Sequence, residues 1–205
     1  MKNITLFLLS FLVSAPAFAQ YVVRNGGYVA ECQGSQLQAL EIMEGTVQGE
    51  QFRYSPRRAY LEKADDLINR VAAADPARAQ KYRGWLAQWR NDIQWHPELD
   101  TYQPNDQGAM KLPLKLCRLR IAIVQNHDPE TGFLKYWINP FVWHNLDEDQ
   151  KAALVLHELL YRDLIEDSPA NPNLNSNFIR QVNLRIHTLN SPQDAAALVA
   201  LLSYL

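Results

Sequence analysis

Two cysteines, Cys32 and Cys117, constrain this chain more than any other feature, because of where the chain is headed. The stretch MKNITLFLLSFLVSAPAFA reads as a secretory signal: Lys2 supplies the positive start, Ile4 to Val13 is apolar, and Ala17-Phe18-Ala19 is a small-residue cleavage site. The apolar run is too short to span a bilayer comfortably. Residues 1–19 are therefore expected to be removed, leaving 20–205 as a single globular domain that is exported, either periplasmic or secreted. Such a compartment is oxidising, and an even cysteine count with no leftover suggests one bridge. The alternative is two buried free thiols. A bridge would close a loop of about 85 residues, worth roughly 4–5 kcal/mol by chain entropy.

The charge balance excludes one partner class. Twenty basic residues face 22 acidic ones, a net charge of −2 that becomes one unit more negative once Lys2 is lost. No basic stripe for nucleic acid is present. No second apolar run reaches membrane-spanning length, so no transmembrane anchor is expected. An envelope, peptide or glycan ligand is compatible with this balance.

Hydrophobic spacing gives the architecture. Tyr21 to Cys32 places β-formers around Asn25-Gly26, the strongest short turn signal, and reads as a hairpin. Leu37, Leu40, Met43 and Val47 follow at helical spacing over 36–47. Ser55-Pro56 and Asp75-Pro76 each look like an N-cap with proline in the first turn. The two helices they open carry Leu61, Leu67 and Val71, then Tyr82, Trp85, Trp89 and Ile93, and pair as a hairpin. Residues 96–113 hold three prolines and read as a loop. Leu116 to Gln125 alternates, with Cys117, Leu119, Ile121 and Ile123 on one side. Residues 126–132 turn into a second strand at 133–138. Asp147 caps a helix running to about Asp167, with Gln150 at its capping-box position. Further helices cover 176–189 and 192 onward. The expected fold is α+β, a mostly helical domain with a small antiparallel sheet of two hairpins.

The stretch Ala153 to Asp163, ALVLHELLYRD, carries the chemistry in question. On a helix, positions 157 and 161 share a face one turn apart. Zinc peptidases place two histidines there, with the intervening glutamate polarising a water. The acidic start and apolar lead-in resemble the zincin HExxH helix, which implies a hydrolase using His157 and Glu158. Tyr161 stands where the second histidine would be, and neutral phenol is a poor ligand. His96, His127, His144 and His187 have no zinc spacing to His157, and Glu166 and Asp167 lie roughly 14–15 Å along the helix. The preferred expectation is no metal and no cofactor, with zinc as the alternative.

A second set of residues explains the pair without metal. Ser176, Arg180 and Asn183 form a polar line on the following helix, at steps of four and three. His157 and Tyr161 are expected to face it, with Glu158 paired to Arg162 or Arg180 across a polar seam. Arg24-Asn-Gly-Gly27 leading to Cys32, Cys117-Arg-Leu-Arg-Ile-Ala122, and His157-Glu-x-x-Tyr-Arg162 followed by Asn175-Ser176 and Arg180 resemble a group of exported proteins from predatory bacteria. That resemblance implies the Cys32–Cys117 pairing and the grouping of the seam residues. It supplies no substrate. The expected function is a non-catalytic exported protein with a binding or envelope-structural role. Phe133, Tyr136, Trp137, Phe141 and Trp143 are dense enough to bind sugar or peptide, although core packing explains them better.

Overall fold

A computed structural model of the chain describes residues 23–32, 36–99, 117–127, 134–167 and 176–205. The expected signal, most of the proline loop, most of the expected turn at 126–132 together with Phe133, and the segment at 168–175 lie outside them. The elements are strand β1 (Val23–Cys32), strand β2 (Gln38–Ala39), helix α1 (Leu40–Val47), helices α2 (Tyr60–Ala72) and α3 (Pro76–Asp92), strands β3 (Ile93–Trp95), β4 (Cys117–His127) and β5 (Leu134–Ile138), and helices α4 (Pro140–Trp143), α5 (Glu148–Asp167), α6 (Ser176–Thr188) and α7 (Pro192–Leu202). The class is α+β. The sheet runs β2-β1-β4-β5-β3. It is mixed rather than antiparallel, because β3 pairs parallel to β5, with Ile93 opposite Tyr136 and Trp95 opposite Ile138. Three residues at a helix end offer no alternation to read, so this edge strand is invisible in the sequence.

The expected hairpin at Asn25-Gly26 does not form. β1 is one continuous strand through those residues, antiparallel to β4. A two-residue hairpin turn needs positive φ, and neither Gly26 nor Gly27 has it; Gly49 does. Here the glycines allow close approach. A Cβ on Gly26 would sit 3.0 Å from the Ile123 carbonyl, and one on Gly27 would sit 2.9 Å from Glu158 Oε1. The register slips between Arg24 and Gly26 and again between Gly27 and Tyr28. These bulges reset the alternation of β4. Leu119 and Ile121 join a small cluster with Tyr28, Leu40, Leu99 and Val124. Ile123 packs instead in the main core with Val29, so the expected single apolar side from Cys117 to Ile123 is split.

Cys32 and Cys117 face each other at the end of this ladder and are disulfide-bonded. Their Cα atoms are 3.9 Å apart, closer than the usual 4.4–6.8 Å. The bond clamps the first strand to a strand 85 residues later.

The helices form where their caps permit. Asp75 accepts from Arg78 N at 2.9 Å, with Pro76 in the first turn, as expected. Ser191 and Asp194 make a reciprocal capping box on α7. Ser55 does not cap α2. Its hydroxyl accepts from Arg57 N and reaches Asp66, and the helix starts at Tyr60, whose N–H donates to Glu148. Gln150 N does donate to Asp147 Oδ1. The Gln150 side chain, however, accepts from Ala39 N at 2.7 Å and ties α5 to β2 instead of closing a capping box. α5 runs through the centre, with every residue from Ala152 to Tyr161 buried. Tyr82 and Trp89 are fully buried core, as the α2–α3 stripe predicts. Among the described residues no helix is long and apolar enough to cross a membrane.

Candidate functional site

Successive residues on a helix point about 100° apart. His157 and Glu158 therefore meet different walls of the core, although each is only 1% exposed. Glu158 faces the sheet. Its Oε1 lies where a side chain on Gly27 of β1 would collide, and Gln125 of β4 donates to the Glu158 backbone carbonyl at 2.6 Å. His157 faces α1, and its Nδ1 stands 3.4 Å from Glu41 Oε1.

Glu41 is the hub, and sequence reasoning missed it. Its Oε1 also accepts from Asn183 Nδ2 at 2.5 Å, and the same Asn183 nitrogen donates to Ala153 O at 2.9 Å. One helical turn on, Glu44 accepts from Arg180 Nε at 3.0 Å, and Arg180 Nη2 reaches Asn177 Oδ1. The seam expected between α5 and α6 thus has a third wall. α1 contributes two acids that face His157 of α5 and Arg180 of α6. Ser176 is fully buried at the start of α6, and Tyr161 is buried in the main core.

The expected pairing of Glu158 does not occur. Arg162 instead donates to Glu166 Oε1 at 2.9 Å and lies over the Trp85 ring at 4.4 Å, at the edge of the helix bundle. Arg180 is held by Glu44. The i,i+4 rule applies to a solvated helix surface, whereas Glu158 is turned inward against β1. Both of its oxygens lack a well-formed hydrogen bond, although the Gln125 amide and the Gly27 N–H are near enough to stabilise its charge.

These surroundings set the proton affinities. Burial drives the Glu158 carboxyl up to about 7, and the Glu41 charge adds to this against the pull of His157, Gln125 and Gly27. Burial would also raise Glu41, but the charge and hydrogen bonding of His157 and the charge of Arg180 hold it below the usual carboxylate range. For His157, burial favours the neutral ring; Glu41 overcomes that and raises it above its ordinary value. His187 has no such partner at its ring nitrogens, and burial pushes it down to about 4. The result is a closed set of groups: Glu41 and Glu44 of α1 face His157 and Arg180, and the Glu158 carboxyl is raised to about 7.

A second buried centre also escaped the sequence reading. Asp163, fully buried, binds Lys81 Nζ at 2.6 Å, Tyr82 Oη at 2.8 Å and Arg78 Nε at 2.9 Å, fastening α5 to α3. Both centres had a signal. Glu41 and Glu44 follow Leu37 at steps of four and three, and Asp163 follows Leu156 and Leu160 in the same way, so each acid occupies a core position of its helix.

Among the described residues no three His, Cys, Asp or Glu side chains gather in a way that could hold a metal ion. Of the aromatics noted above, Tyr136 and Trp143 are buried, Trp137 is partly buried, Phe141 is exposed and Phe133 lies outside the described residues. Comparison with protein-family models, curated proteins and solved structures finds no match to this chain.

Proposed function

We propose that this is an exported, non-catalytic protein with a binding or envelope-structural role, in which His157-Glu158 serves the polar core rather than chemistry. One observation carries the reading: His157 Nδ1 approaches Glu41 Oε1 to 3.4 Å as an ion-pair contact inside the core, and both His157 and Glu158 are 1% exposed, beyond the reach of a substrate. The Cys32–Cys117 bond supports an oxidising compartment, and the resemblance to exported proteins of predatory bacteria points the same way. Intact mass of the exported protein is expected to lack residues 1–19. Zinc analysis by mass spectrometry, with melting in zinc and in chelator, tests the rest. The expected result is substoichiometric zinc and an unmoved melting temperature. Stoichiometric zinc, lost on His157→Ala and stabilising when restored, would put a zincin-like hydrolase first.

One observation favours that second reading. A buried carboxyl raised to about 7 beside a histidine is a common signature of acid–base sites. It requires the core to open to substrate. A hydrolase would lose turnover on Glu158→Gln while keeping its fold.

A further inference from the structure

Two of the exposed aromatic residues lie towards the β3 edge of the sheet. Trp95 is 50% exposed and Phe141 63%. Isolated exposed hydrophobics need no explanation, but Trp95 has an aromatic partner. The Trp95 ring stacks on His144, with centroids 5.6 Å apart and planes 20° from parallel. Phe141 of α4 precedes the C-cap residue His144 by three residues, so the two fall towards one side of that turn.

The shelf is held firmly. Asn139 accepts from Phe141 N and Val142 N at the start of α4, Asn145 Nδ2 donates to Phe141 O at 2.6 Å, and buried Trp143 anchors the turn edge-on against Tyr60. Trp95 is fixed by the parallel pairing of β3 to β5. Ordered aromatic rings on a fixed backbone lose little conformational entropy on binding.

His144 also lines a cleft of about 630 Å³, within the range of small-ligand sites. Glu31, Gln36, Arg120, Asn145 and Asp147 share that lining with Leu37 and Leu146. Carboxylate, amide and guanidinium groups are planar forks that suit pairs of neighbouring hydroxyls. Two carboxylates against one guanidinium disfavour a phosphate-rich ligand, and so many polar groups are a poor seat for an apolar helix. A pyranose ring has an apolar C–H face and a rim of hydroxyls, which matches the outer face of the Trp95–His144 stack beside a polar, weakly acidic cleft.

We propose that the shelf of Trp95, His144 and Phe141, together with the cleft beside it, binds a carbohydrate. One sugar ring stacks on the shelf, and the next places its hydroxyls against the cleft's carboxylates and amides. This site uses none of the residues of the Glu41 hub, so it stands or falls separately from the reading of His157 and Glu158.

The test titrates the processed, disulfide-bonded protein with chitotetraose, cellotetraose and mannotetraose, read by tryptophan fluorescence and calorimetry. At least one sugar is expected to bind saturably with a Kd of ~1 mM or tighter. Trp95→Ala and Phe141→Ala should each weaken that sugar by about tenfold or more, as loss of a central aromatic contact does. Trp95→Phe should retain part of the affinity. Phe141→Ala removes an exposed side chain and should leave the melting temperature unchanged, so it remains decisive even where Trp95→Ala folds poorly. Absence of saturable binding by all three sugars overturns the proposal, as does binding that both substitutions leave intact. A proline-rich peptide that binds with the same Trp95 dependence while the sugars do not would assign the shelf to peptides.

Discussion

Glu158→Gln is expected to change how stability depends on pH. The buried carboxyl titrates near 7 in the folded chain against 4.5 for the free group. The folded state therefore holds this proton more tightly than the unfolded state does. Stability falls as pH rises from the unfolded value through the folded one, and the loss is complete above it. At about 1.36 kcal/mol per pKa unit, the ionised carboxylate costs the fold about 3 kcal/mol at pH 8. Glutamine keeps the shape against Gly27 and cannot ionise. It adds a buried N–H group beside the Gln125 side chain. Any residual cost of the amide is constant with pH, so the difference between the two proteins is the informative quantity. His157 contributes a loss above pH 6.5 as its own raised value is passed; Glu41 raises it more than Glu158 does, so most of that loss is common to both proteins. Urea unfolding from about pH 4.5 to 8 should show the variant gaining roughly 3 kcal/mol on the wild type across that range. Parallel profiles, or a variant that loses ground as pH rises, would refute the reasoning, because they would mean that Glu158 is ionised and compensated in the fold.

Other outcomes follow from the same contacts. Glu41→Ala should lower stability by about 3 kcal/mol in urea at pH 7, since Asn183 and His157 lose their acceptor; a loss no larger than that of the exposed Glu62→Ala would contradict the hub. Asp163→Ala should cost about 3 kcal/mol and loosen α3 from α5, read as faster amide exchange around Tyr82. Cys32→Ser with Cys117→Ser should cost about 2–5 kcal/mol by denaturant midpoint, and an unchanged midpoint would mean the bond adds nothing to the fold.

The helices were legible because they obey local rules. Asp75-Pro76, Ser191-Pro192 and the Tyr82–Trp89 stripe each encode their element within a few residues. The strands were harder. Asn25-Gly26 carries a hairpin signal that tertiary pairing overrides, since β4 supplies a partner for the whole strand and the glycines are needed for contact with Ile123 and Glu158. β3 is too short for any pattern. At the candidate site, Ser176, Arg180 and Asn183 read as a polar line because they share one face of a predicted helix, and all three are buried. Glu41, Glu44 and Asp163 were overlooked because acids on a helix normally point to water. Their core spacing was the signal against that habit. Where Glu158 points was not readable at all, since it depends on a glycine 131 positions earlier in the chain.

The central claim is that Glu41 holds His157 inside a closed polar core, and NMR titration of the His157 ring tests it most directly. The imidazole should titrate above its ordinary value of 6.5, fall below it in Glu41→Gln, and give the same curve with zinc or chelator present. A ring that titrates at or below 6.5 in the wild type, or whose resonances shift on stoichiometric zinc, would contradict the account.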